Sequence, residues 1–191
     1  MRTRWMAAAG STVVVLCVSL GVALAAGQGE ATQGPPDQQF LKEAAQGGMK
    51  EVALGKLAVQ KASSEEVKQF GQRMVDDHGG ANERLQKLAA SKGVTLPEEM
   101  GEEGKALRDR LEKLSGAEFD RAYMEEMVKD HKKDVEEFTK AAEHGEDPEV
   151  KKWAEDTLPT LKEHLQQAQN VADQVGAQAG TEGREKSAQR E

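Results

Sequence analysis

Four long stretches of this chain carry apolar or small side chains at helical spacing, and each has a polar residue where its stripe should continue. A helix with one apolar stripe must bury it against other helices, so four in succession point to an all-α bundle. The first stripe runs through Phe40, Ala44, Gly47, Leu54 and Ala58, the second through Val67, Gly71, Met74, Ala81, Leu85 and Leu88. The third runs through Met124, Val128, Val135, Phe138 and Ala142. The fourth runs through Val150, Ala154, Thr157, Leu161, Ala168, Val171 and Val175.

Punctuation between the stripes sets the topology. Asp37 after Pro36 reads as the N-cap of a first helix reaching about Ala62. Ser63 and Glu66 have capping-box spacing for a second helix that ends before Gly93, and Ser115 and Glu118 repeat the box for a third that stops at Gly145. Asp147-Pro148 opens the fourth helix, which continues to about Val175 with Pro159 inside it as a bend. Helices one and two abut, as do three and four, so both pairs must form antiparallel hairpins. Gly93 to Leu114 is long enough to run back along a bundle, and Leu107, Leu111 and Leu114 predict a short amphipathic helix within it. Two hairpins joined by one long crossover is the arrangement of ferritin-like four-helix bundles.

The ends of the chain read differently. Arg2 and Arg4, the apolar run Met6 to Ala25 and the small residues Ala23 and Ala25 have the form of a signal peptide over 1–25, either cleaved before Ala26 or retained as an anchor. Residues 26–36 read as a polar linker, 37–175 as the bundle, and 176–191 as a disordered tail poor in apolar side chains. These features predict export to the periplasm or cell envelope, or secretion. Cys17 is the only cysteine and would leave with the signal, so a packed core must hold the mature protein without disulfides. The formal charge is −8, and losing the two arginines makes the mature chain more acidic still. Such a chain is not expected to seek nucleic acid, and its mature part has no membrane-spanning run. Its partners would be a second copy or an envelope protein.

The polar residues in the stripe gaps are Glu51, His78, His131 and His164, one per long helix. One metal-capable side chain per helix, each aimed inward, is how bundle-core metal sites are made. Imidazole with carboxylate suits iron, zinc, manganese or copper. Counted from the hairpin turns at 1.5 Å per residue, their heights spread over roughly 9 Å, which permits a shared site without requiring one. The bland alternative is a set of core-edge histidines hydrogen-bonded to their neighbours, with Glu51 paired to one of them.

A repeat bears on the same residues. Met74-Val75-Asp76-Asp77-His78 and Met127-Val128-Lys129-Asp130-His131 share the pattern MV-x-DH. An aspartate one residue away does not face the same way on a helix. Asp77 and Asp130 therefore read as bridges to a neighbouring helix, as acids backing a histidine, or as solvated flank charges. Tyr123 and Asp134 flank the third stripe within reach of the site. His144 beside Gly145 suits a helix C-terminus and stays outside the site. Trp153 reads as a core or boundary aromatic.

The runs FLKEAAQGGMKEVALGKLA, VKQFGQRMVDDH, FDRAYMEEMVKDH and LPTLKEHLQQA together resemble the exported family called domain of unknown function 4142, over about Phe40 to Val171. Its members often carry an outer-membrane label and are grouped with ferritin-like bundles. The resemblance implies that fold and export and no established activity. The chain departs from the Glu-x-x-His pairs of ferritin-like di-iron proteins, because Val75, Val128 and Leu161 stand three residues before the histidines. A conventional oxygen-activating centre is not expected, and no nucleophile–base pair, phosphate loop or thiol motif supports another enzyme class. The leading functional expectation is a transition-metal site of Glu51, His78, His131 and His164. The alternative is a metal-free structural or stress-related envelope bundle acting through protein interactions.

Overall fold

The computed structural model describes residues 36–188, with side chains through residue 176. These residues form five helices: α1 (Pro36–Lys61), α2 (Glu65–Ser91), α3 (Gly101–Glu112), α4 (Gly116–His144) and α5 (Pro148–Ala188). There is no strand among the described residues. Helices α1 and α2 pack as one hairpin and α4 and α5 as another, with α3 lying in the crossover against α1 and α4. The hairpins meet through α2 against α5 and α1 against α4. No helix among the described residues is long and apolar enough to cross a membrane.

The stripes bury as helical periodicity requires, in two apolar clusters. One gathers Leu54, Val67, Phe70, Met74, Leu111, Phe119, Met124, Met127, Ala168 and Val171. The other gathers Leu41, Ala45, Leu85, Ala89, Phe138, Val150, Trp153, Ala154 and Leu161. In the first half of α1 the buried residues are Leu41, Ala45 and Gly48, one position on from the expected Phe40, Ala44 and Gly47. The helix is flanked on two sides there. Phe40 turns toward α4 and α5, with ring centroids 5.0 Å from Phe138 and 5.8 Å from Trp153.

Polar groups stitch the two ends. Asp37 is not a cap for its own helix: Pro36 leads α1, as its preset φ favours, and Asp37 Oδ2 accepts from the Glu146 and Asp147 amides at 3.0 and 2.6 Å. The N-cap of α2 is Ser64 in place of Ser63, its hydroxyl accepting from the Val67 amide. Ser63 is drawn away by Asp120 of α4, whose carboxylate also accepts the Ser63 and Ser64 amides at 3.0 and 2.9 Å. That carboxylate is 2 % exposed and satisfied, so its burial is tolerated. Ser115 precedes α4 without a side-chain cap bond, whereas Asp147 Oδ1 caps α5 as expected, accepting from the Glu149 and Val150 amides. Gly93, at φ +66°, closes α2, with the Val94 amide donating to the Ala89 carbonyl at 2.9 Å.

The expected end of the last helix near Val175 is too early, since α5 continues to Ala188. Extending a formed helix adds one hydrogen bond per residue fixed and needs no new nucleus, so it can outrun its apolar stripe. Pro159 lies on the exposed face of α5. The expected signal over 1–25, the linker before Pro36 and residues 189–191 lie outside the described residues.

Helices α1 and α2 cross closely at two glycines. A Cβ on Gly55 would lie 2.5 Å from the Gly71 carbonyl oxygen, closer than backbone permits, whereas a Cβ on Gly47 would meet nothing within 4 Å. Gly55→Ala should therefore lower the unfolding free energy by about 1–3 kcal/mol. Gly47→Ala should raise it by about 0.5–1 kcal/mol by removing a helix-interior glycine. Urea titration of both variants checks the contrast; equal effects would mean the two helices do not cross this closely.

Candidate metal centre

Between the two apolar clusters lies a polar layer. Glu51 sits between Ala45 and Leu54 on α1, and His78 between Met74 and Leu85 on α2. His131 sits between Met127 and Phe138 on α4, and His164 between Leu161 and Ala168 on α5. All four are buried, with Glu51 and His131 at 0 %, His164 at 1 % and His78 at 7 % exposure.

The structure brings three of the four together. His78, His131 and His164 each offer a ring nitrogen, and these nitrogens lie within 4.8 Å of one another. Ring centroids are 5.7 Å apart for His78–His131 and 5.4 Å for each other pair. Glu51 lies outside this cluster and shares its surroundings with Lys50, Asp130, Asp134 and Tyr123, to which its charge couples.

Hydrogen bonds select the free nitrogens. His131 Nδ1–H donates to the Met127 carbonyl at 2.9 Å, leaving Nε2 as a lone pair. His164 Nε2–H donates to Asp77 Oδ2 at 2.7 Å, leaving Nδ1. His78 Nε2, His131 Nε2 and His164 Nδ1 are all buried without a partner. Three such orphans in one place are unusual, because buried polar atoms are otherwise nearly always paired.

Electrostatics hold these imidazoles neutral. Burial pushes His78 down to about 3, and charge on either neighbouring imidazole would oppose its protonation further. His164 falls to about 4, again mainly by burial, with the Asp77 hydrogen bond resisting. Burial also lowers His131. The carboxyls beside them move the other way. Glu51 is pushed up to about 8 by burial, and Asp134 to about 7 by burial and the nearby Glu51. Burial raises Tyr123 well above its ordinary value. Lys50 is pulled down by burial, but Glu51 and Asp130 together outweigh that and leave it raised.

The two repeat aspartates take different roles. Asp77 bridges α2 to α5 through His164, and Arg73 holds it from the same side at 3.1 Å. Arg73 also reaches Gln167 and Glu163 on α5. Asp130 pairs with Lys50 of α1 at 2.9 Å and does not bond a histidine. His144 is exposed beside Glu143, and Trp153 is buried with its Nε1–H unpartnered. Lys50, Arg73 and Asp120 escaped sequence reasoning, since lysine and arginine near a helix flank look like any solvated charge. A groove of about 570 Å³ opens beside the layer between α3 and the long helices, and among the three histidines only His78 lies on its wall.

The family described as domain of unknown function (DUF4142) matches residues 22–171, and the chain belongs to it. No curated protein matches the chain. Among solved structures, a DUF305 fragment from Deinococcus radiodurans is similar at a TM-score of 0.65 and 15% identity, covering 73% of this chain and 97% of that one. CopM in a Cu(II)-bound form is similar at 0.62 and 18%, covering 72% and 96%; Cu(I)-bound and Ag-bound forms of it also match. A DUF305 protein from Streptomyces coelicolor is similar at 0.62 and 13%, covering 73% and 94%. At these identities the likeness speaks for the fold.

The shifted groups fix how stability should follow pH in metal-free protein. Between the folded values of about 3 and 4 and the ordinary 6.5, the unfolded chain binds more protons at His78 and His164. Their contribution is therefore complete above 6.5 and is lost as pH falls through that window. Glu51 runs oppositely. Its folded value of about 8 exceeds the ordinary 4.5, so its contribution is complete below 4.5 and is lost as pH rises toward 8. Glu51→Gln should accordingly stabilise the protein more at about pH 8 than at about pH 5, while His78→Gln should flatten the loss on acidification. Urea midpoints across that range check both; a Glu51→Gln effect independent of pH would contradict burial of a protonated carboxyl.

Proposed function

We propose that this protein is an exported, ferritin-like four-helix bundle that binds copper, chiefly as copper(I), through His78, His131 and His164. Two observations carry the reading together: each of the three histidines has a buried ring nitrogen without a partner, and the three offer ring nitrogens within 4.8 Å of one another. Nitrogens bound about 2.0–2.1 Å from a single ion would stand roughly 3.3–3.6 Å apart, so small side-chain rotations would close the cluster. The hydrogen bonds to Met127 and Asp77 support it, because they set which nitrogen of His131 and His164 is free.

The choice of metal follows from the donors. The cluster holds imidazoles and no carboxylate, which favours copper or zinc over magnesium, calcium or manganese. A neutral ligand set in an apolar interior also favours a single charge, since among the described residues Asp77 is the one carboxylate bonded to the cluster and would leave a divalent ion partly uncompensated. CopM, the neighbour solved with copper and silver, is consistent with that preference. The ferritin-like assignment is supported by two hairpins joined through the α3 crossover. Export rests on the signal-like run before Ala26. Under this reading Glu51 is a protonated neighbour of the site and not a ligand.

Copper(I) titrated into protein purified without an affinity tag should bind at one ion per chain, and the His78→Ala, His131→Ala, His164→Ala triple variant should bind none at that site. Asp77→Ala should keep the site but weaken it by about 10–100-fold, because His164 loses the acceptor that orients it. Elemental analysis and competition with a chelator of known affinity read both. Absence of bound copper in the wild-type protein would leave the metal-free structural bundle as the better account.

A further inference from the structure

We infer that the groove between α3 and the long helices is the route by which the metal reaches the three histidines, with the Lys50–Asp130 ion pair standing across it as a gate. This rests on the copper reading above. His131 and His164 are sealed at 0 % and 1 % exposure, so an ion cannot approach them directly from solvent. His78 is slightly more open, lies on the groove wall and carries an unpartnered Nε2. It is the point at which the outside touches the cluster.

The walls have the chemistry of a cation path. Carboxylates outnumber ammonium and guanidinium groups along them, with Glu43, Glu102 and Glu103 among the acids. A cleft lined by one excess sign and walled by protein concentrates the opposite ion. Met100 contributes a thioether, a soft donor that suits monovalent copper in transit and does little for zinc. Lys50 and Asp130 both line the groove and are joined at 2.9 Å between α1 and α4, with side chains only 19% and 11% exposed. The ammonium of that pair is a positive charge next to the path, so an incoming cation must pass it.

Gly47 supplies the test. It lies on the groove wall, and a side chain built there meets nothing within 4 Å, so a phenyl ring can fill the groove without entering the core. Copper(I) transfer from a weak chelator is followed in time and to its end point in wild type, Gly47→Phe, Lys50→Met and Gly79→Phe. Gly79 also faces open space but does not line the groove, which makes it the control. Gly47→Phe should load about tenfold or more slowly and reach the wild-type end point, and Lys50→Met should load several-fold faster. Gly79→Phe should match wild type. Met100→Leu should slow copper(I) and leave zinc loading unchanged. Wild-type rates in Gly47→Phe, or equal slowing in Gly79→Phe, would overturn the route while leaving the copper site intact. An unchanged rate in Lys50→Met would remove the gate. Failure of wild type to take up copper at all would overturn the site and the route together.

Discussion

Keeping three imidazoles neutral inside a helical core requires that water be excluded above and below them, and the two apolar clusters do this. The cluster around Phe70, Met74 and Met127 closes one side of the layer, and the cluster around Leu85, Phe138 and Leu161 closes the other. The same exclusion lowers the affinity of His78, His131 and His164 for protons and leaves their lone pairs unsatisfied. In a purely structural core such orphans would be a liability of about 1–3 kcal/mol each, since a buried acceptor without a donor keeps its full desolvation penalty. Their persistence at the one level where the four long helices are all polar is what gives the layer its functional reading.

Whether the histidines meet at all depends on register, and register is set at the ends. Each hairpin is fixed locally, α1–α2 by a tight turn and the Gly55–Gly71 crossing, α4–α5 by the Asp147 cap. Between hairpins the heights are matched by polar contacts, most of them partly buried. At one end Asp120 gathers the Ser63 and Ser64 amides; at the other Asp37 gathers those of Glu146 and Asp147, and Lys92 pairs with Asp147 at 2.8 Å. At the middle, Lys50–Asp130 and Asp77–His164 cross from one hairpin to the other. A slide of one turn would break all of these together, so a few directional bonds hold what non-directional apolar packing would tolerate losing.

Much of this was legible in the chain itself. Helical periodicity marked the four long helices, their two hairpins and the short helix around Leu107 and Leu111, because that signal is local and repeats over many turns. Of the expected N-caps only Asp147 serves as read. The interrupted stripes singled out Glu51, His78, His131 and His164 as buried polar residues, and all four are buried. Periodicity resolves phase less well where a helix has two neighbours. Adjacent positions on α1 differ by about 100° of rotation, and both Phe40 and Leu41 find packing there.

Tertiary structure decided which of the four polar residues converge. Their heights along separate helices depend on turn geometry and hairpin docking, neither of which is encoded within a single helix, and the outcome is a three-histidine cluster with Glu51 beside Lys50 and Asp130. The MV-x-DH repeat shows the same division. Two identical local patterns place an aspartate one residue before a histidine, yet Asp77 meets His164 while Asp130 meets Lys50, because different helices pack against them. The sequence by itself determined that these side chains point inward, through the helical period; only packing between helices determined what each would face, through contacts between residues far apart in the chain.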